Sequence, residues 1–220
     1  MTRFLLPLLA VVALTAATAP RPWTAVATPV ASGSYLIGNP KARVKLVEYV
    51  SYTCPHCAHF TQESDATLGA MVRSGSTSVE LRNQVHDGID LAAATLARCS
   101  GATAFPRVHA AFFQKQEQWL DRAADWAEAN RDRIASWPQL AQLSAIADAA
   151  GLTAIAREAG APPAAISACF ANDSAVKKTI AVSEGTSKVQ GTPAFEINGR
   201  LIQNVGWAQL QPQLRTAGAK

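Results

Sequence analysis

At 220 residues, 49% hydrophobic and 16% charged, the chain is long enough to bury its own core and too apolar for a disordered or solvating role. Its net charge of +4 is mild. Residues 1–27 carry Arg3 and Arg21 and no acidic residue, so removing them leaves eighteen basic residues against sixteen acidic, which argues against a nucleic-acid surface.

The chain opens on Met1-Thr2-Arg3, followed by an apolar run from Phe4 to Leu14 of about eleven residues and then by small residues. This is the pattern of a secretory signal peptide, too short to span a bilayer. Ala17-Thr18-Ala19 and Ala25-Val26-Ala27 both fit a small-x-small cleavage site, and an uncleaved anchor is the alternative. Export places four cysteines, an even number, where disulfides persist. Residues 20–34 are rich in Pro, Ala and Thr and read as a loose lead-in, after which Gly38-Asn39-Pro40 turns the chain.

Val44–Val50 predicts a strand apolar on both faces, as in the middle of a covered sheet. Glu48 breaks that pattern, because it shares a face with Val44, Leu46 and Val50. Buried there, its carboxyl would have a raised pKa and could relay protons. Cys54-Pro55-His56-Cys57 follows, where the strand feeds a helix expected to run to about Ser74. Two cysteines three apart on a first helical turn face the same way and can close a small disulfide. The N-terminal cysteine is the reactive one, since its sulfur lies near unsatisfied N–H groups and the positive end of the helix dipole, which favour thiolate. Pro55 suits the first helical position, where a missing N–H costs nothing, and His56 adds a second donor beside the same sulfur. A thiolate so favoured is a good leaving group, so the pair reads as a donor of disulfides.

Val79–Val85 alternates apolar and polar residues and predicts a second strand, half covered, which closes a βαβ unit. From Asp87 to about Glu184 the composition turns to Ala, Leu and Gln, with helical periodicity over Leu91–Cys99, Phe105–Trp119 and Pro138–Ala150 and shorter helices over Pro162–Phe170 and Ser174–Ser187. Trp119, Trp126 and Trp137 read as packing between helices. His59, His86 and His109 carry no pattern of their own. Strand Thr192–Ile197, a hairpin turn at Asn198-Gly199, a return strand over Leu201–Val205 and a closing helix with Trp207, Leu210 and Leu214 on one face complete the chain. The expected organisation is a signal and lead-in over 1–27, a sheet domain over 28–87 and 185–220, and a helical insertion over 88–184.

An exported strand–CPHC–helix unit, a helical insertion, and a Thr-Pro ahead of a hairpin together resemble the DsbA family of thiol:disulfide oxidoreductases. The resemblance runs from about Ser34 to the end and implies an α/β, thioredoxin-like fold with a large all-helical insertion. It implies that Cys54 is the nucleophile, Cys57 the resolving cysteine, His56 the residue that stabilises the Cys54 thiolate, and Glu48 the buried acid. Pro193 matches the family's cis-proline, which would leave the backbone of Thr192 free to pair with an extended substrate. Thr192 departs from the Val that several oxidases carry there and matches isomerases; its hydroxyl can hydrogen-bond a thiolate and change the redox poise. A second disulfide occurs in the helical domain of some members, which implies that Cys99 and Cys169 pair; two free thiols are the alternative. Such a link would close a loop of about 70 residues, worth about 4 kcal/mol by loop-closure entropy.

The resemblance further implies a periplasmic monomer that needs no cofactor or metal. It would oxidise newly exported thiol proteins through a mixed disulfide at Cys54 and be reoxidised by a membrane, quinone-linked partner of the DsbB type. A reductase or isomerase of the same fold, and a secreted binding module without catalysis, are the alternatives. A zinc site begun by Cys54, Cys57 and His59 lacks a second close cysteine pair, and Ala58 stands where a haem attachment would need His.

Overall fold

The structure, a computed structural model, describes residues 22–220. The expected signal core and the Ala17-Thr18-Ala19 cleavage site lie outside the described residues. No helix of the described residues is long and apolar enough to cross a membrane.

The first described element is a strand, β1 (Ala27–Pro29), paired antiparallel with β2 (Tyr35–Gly38). This corrects the expected loose lead-in. Ala27 is 2% exposed and belongs to the main core, so the alternative cut after Ala27 would remove part of that core. The short strand is hard to read because Pro29 gives no ladder donor, which a sheet tolerates at an edge.

Strand β3 (Val44–Val50), helix α1 (Pro55–Arg73) and β4 (Thr77–Asn83) form the unit that carries the CPHC motif, with β3 and β4 parallel. Helices α2 (Gly88–Cys99), α3 (Gly101–Gln114), α4 (Gln116–Ile134), α5 (Gln139–Ala149), α6 (Leu152–Glu158), α7 (Pro163–Ala168) and α8 (Ser174–Glu184) follow in sequence. The chain then returns through β5 (Ala194–Ile197), β6 (Arg200–Gln203) and α9 (Trp207–Ala217). The sheet order is β1-β2-β4-β3-β5-β6, so β3 lies inside the sheet with β5 antiparallel on its other edge. Asn198 and Gly199 both take positive φ, 51° and 86°, which is the backbone a two-residue hairpin of the primed type demands.

The face of β3 bearing Val44, Leu46 and Val50 packs with Phe60, Leu68, Met71 and Val72 of α1 and with Leu210 and Leu214 of α9 in one core cluster. The other face is less covered than the sequence suggests, since Lys45 is exposed and Val47 half-buried. The main cluster runs on without a break into the helices, through Tyr52, Phe105, Phe112, Phe113 and Trp119. Cys99, the last residue of α2, and Cys169, just past α7, are joined by a disulfide with a Cα–Cα separation of 5.6 Å.

Three helical boundaries differ from the expectation. The Phe105–Trp119 segment is broken at Lys115 (φ −105°, ψ 14°), so Trp119 belongs to α4. Helix α4 itself was hidden because its buried stripe is only Gln116, Trp119, Ala123 and Ile134, with charge over most of the remainder. Helix α6 begins after Gly151 at φ +77°, where the short connection left no room for a periodic signal. The return strand β6 is also one residue earlier than expected at its start and ends at Gln203.

Candidate active site

Cys54 is the N-cap of α1 and Pro55 its first residue. The backbone there is extended at Cys54 (φ −83°, ψ 116°) and turns helical at once, which leaves the first N–H groups of the helix around the Cys54 sulfur. The approach to this turn is fixed from three sides. Cys54 N–H donates to Ser51 O at 3.2 Å, Tyr52 N–H donates to the Asp90 carboxylate at 2.8 Å, and Gln116 Nε2 donates to both Tyr52 O (2.8 Å) and Cys54 O (2.9 Å). Asp90 and Gln116 are buried and escape sequence reading, because they reach the motif from α2 and α4 with no local signal. Asp90 also accepts from His86 N–H, and burial raises its pKa to about 6.

Both cysteines of the motif are free thiols. They are held in opposite states. Cys54 is largely buried, and its pKa is lowered to about 5, chiefly by a hydrogen bond from the Cys57 thiol. The Thr192 hydroxyl and the backbone N–H groups of Cys57 and His56 add to this, against a desolvation that works the other way. Cys57 is fully buried, and burial, then the Cys54 sulfur, push its thiol far up. The His56 ring itself is exposed; its backbone N–H is the group directed at Cys54.

The peptide Thr192–Pro193 is cis and faces the motif, and the Cys54 thiol donates to Thr192 O at 3.1 Å. The Thr192 hydroxyl is buried with no other partner than these sulfurs. The loop leading to it is tied down by Gln84 Nε2 donating to Val189 O (2.9 Å), by Gln190 N–H donating to Gln203 Oε1 (3.0 Å), and by an ion pair between Lys188 and Glu196. Glu196 in turn accepts from the Tyr49 hydroxyl at 2.5 Å.

Glu48 lies on the α1 face of β3, 4% exposed, with Oε1 buried and unpartnered. Burial raises its pKa to about 8, so at neutral pH the carboxyl keeps its proton. It shares a cavity of about 170 Å³ with Thr61, Ser64 and His109. His109, featureless in the sequence, is buried with Nδ1 3.0 Å from the Tyr52 hydroxyl, and burial lowers its pKa to about 4.

Two grooves flank Cys54. One, of about 310 Å³, runs between His56, His59 and Glu63 of α1 and Thr192, Pro193 and Asn204. The other, of about 420 Å³, lies between Pro55 and His59 and the α3–α4 junction at Phe113, Glu117 and Asp121. A low-pKa sulfur between two grooves, a buried sulfur behind it and the Thr192 carbonyl within hydrogen-bond reach of that first sulfur make a site for exchange of sulfur bonds with an extended chain.

A family model described as thioredoxin matches residues 31–215, and the chain belongs to that family. Its fold is thioredoxin-like with a helical insertion, of the DsbA kind. A protein-disulfide isomerase from Novosphingobium aromaticivorans is 36% identical with a TM-score of 0.76, covering 86% of this chain and 100% of that one. Alpha-DsbA1 of Wolbachia pipientis shares the fold at 18% identity and a TM-score of 0.59, over 84% of this chain and 90% of that one. A Rickettsia prowazekii protein provisionally named a protein-disulfide oxidoreductase is 30% identical over 174 residues, 77% of this chain and 56% of that one. The chain thus spans little more than half the length of that curated relative.

Proposed function

We propose that this chain is a periplasmic thiol:disulfide oxidoreductase that donates the Cys54–Cys57 disulfide to newly exported proteins. The observation that carries this reading is the opposite treatment of two neighbouring thiols, with Cys54 lowered to about 5 and Cys57 driven up by burial. A stabilised Cys54 thiolate favours the reduced form of the pair, and therefore makes the oxidised form a ready donor.

In the oxidised enzyme a substrate thiolate attacks Cys54 Sγ; the Cys54–Cys57 bond breaks and Cys57 leaves with the electron pair. Cys57 cannot stay charged where it is buried, and Glu48, protonated at neutral pH, is the acid assigned to give it a proton. A second substrate thiolate then attacks the substrate sulfur of the mixed disulfide, and Cys54 leaves as thiolate. The substrate has lost two electrons and the enzyme holds them as Cys54 thiolate and Cys57 thiol. A membrane, quinone-linked partner of the DsbB type takes them away. Thr192 and Pro193 hold the substrate backbone during exchange.

An isomerase reading is favoured by the Thr192 hydroxyl beside the sulfurs, and by the name of the Novosphingobium neighbour. The two are separated by the substrate. An oxidase converts a dithiol peptide to its disulfide with one equivalent of oxidised enzyme, and a Cys57→Ser variant whose Cys54 carries a mixed disulfide with a small aromatic thiol releases that thiol to a single-thiol peptide and holds the peptide as a mixed disulfide at Cys54. No adduct at Cys54, or turnover only of a scrambled disulfide substrate by the reduced enzyme, overturns the donor reading.

A further inference from the structure

A cavity of about 640 Å³, larger than either groove beside Cys54, lies where the β1–β2 hairpin meets the end of α2 and the start of α8. Two cations line it, Arg98 and Lys178, and no carboxylate does. Arg98 is the more informative. Its Nη2 donates to Gly33 O and its guanidinium lies 5.9 Å from the centre of the Tyr35 ring, yet Nη1 is buried with no hydrogen-bond partner. No carboxylate pairs with it among the described residues, and burial lowers its pKa with only tyrosines opposing. The side chain is half-buried, and a guanidinium partly withdrawn from water normally finds a counter-charge for its buried edge. Lys178 lies on α8, whose first turn contributes Ser174 and Ala175 to the same cavity, so the positive end of an eleven-residue helix adds to the two charges. Asp173, the nearest acid in sequence, is already paired with Lys177.

Apart from Asn172, the remaining side chains of the wall are largely apolar: Pro29, the Tyr35 ring, Ala165, Ala168 and the Cys99–Cys169 disulfide. A volume this large, with two cations and a largely apolar remaining lining, suits an organic ligand and exceeds the needs of a small inorganic anion. We propose that this cavity binds a small organic carboxylate, its charged end between Arg98 and Lys178 and its apolar body against Tyr35 and the Cys99–Cys169 disulfide. The site is separate from the CPHC motif and needs no redox step.

The test is a titration of the full chain with hexanoate, followed by amide NMR and calorimetry, with hexanol and inorganic phosphate as the matched neutral and apolar-free probes. The expected result is saturable binding of hexanoate with shifts at Gly33 and Ala175, and at least about tenfold weaker binding of hexanol and of phosphate. Lys178→Gln, at an exposed position, should weaken hexanoate about fivefold, and Arg98→Gln should abolish it. Saturation should also slow the reduction of Cys99–Cys169 by dithiothreitol. Absence of saturable shifts overturns the proposal, as does equal binding of hexanol or phosphate. So does a hexanoate affinity that Lys178→Gln leaves untouched, a result that does not depend on the folding of the Arg98 variant.

Discussion

Cys54 and Cys57 stand three residues apart on the first turn of α1 as two thiols, whereas Cys99 and Cys169, seventy residues apart at the ends of α2 and α7, are joined. On the loop-closure argument a link across the first pair stabilises the fold by about 2 kcal/mol and a link across the second by about 4 kcal/mol. The surroundings widen that gap. Around Cys54 the helix N–H groups, the Cys57 thiol and the Thr192 hydroxyl all favour a thiolate, which works against the bond. Cys169 is 3% exposed and its sulfur lies 3.6 Å from Thr95 O. Loop length and the local field, acting on the same element, separate a pair suited to transfer from a pair suited to holding.

The largest expected effect falls on the second pair. Replacing Cys99 and Cys169 together by Ala should lower the free energy of unfolding by about 4 kcal/mol. The pH profile of Cys54 alkylation should stay where it is, with its midpoint near 5. A profile that moved would break the separation between the pairs.

Next comes Glu48, which sharpens the contrast from the side of the first pair. Its folded pKa of about 8 lies above the ordinary 4.5, so its titration costs the fold nothing below about pH 4.5, and that cost grows until about pH 8. Stability owed to the neutral carboxyl is therefore lost as pH rises. Glu48→Gln should unfold with the same free energy as the parent near pH 4 and be more stable by a few kcal/mol near pH 9, read by denaturant titration at both. The opening of the Cys54–Cys57 bond by substrate should also lose its pH dependence near 8.

A smaller effect is expected at Gln116, which holds the carbonyls of Tyr52 and Cys54 from α4. Gln116→Ala should cost about 1 to 2 kcal/mol in stability by leaving the Tyr52 carbonyl short of a donor, and should slow peptide oxidation more than the same change at exposed Gln118.

Much of this frame is written locally. The β3 run, the Pro55 helix start and the Asn198-Gly199 turn each carry their own short-range signal, and each forms where that signal stands. Glu48 stood out because it breaks an apolar face that a strand of this kind keeps intact. The pairing of Cys99 with Cys169 was accessible only through the family resemblance, since two lone cysteines do not name their partners. What stayed hidden depends on distance along the chain. Asp90 reaches Tyr52 across 38 residues and Gln116 reaches Cys54 across 62, and neither has a neighbour in sequence that betrays the contact. The β1 strand and α4 were missed for the opposite reason, their own residues being too polar or too proline-rich to show a period.

The central claim is that the Cys54–Cys57 pair prefers to be reduced, and the reduction potential of that pair in a glutathione buffer tests it most directly, with Cys99 and Cys169 replaced to silence them. The account predicts a value well above the roughly −270 mV of thioredoxin, with the Thr192 hydroxyl adding to the difference. A value at or below that of thioredoxin would contradict it and leave a reductase in its place.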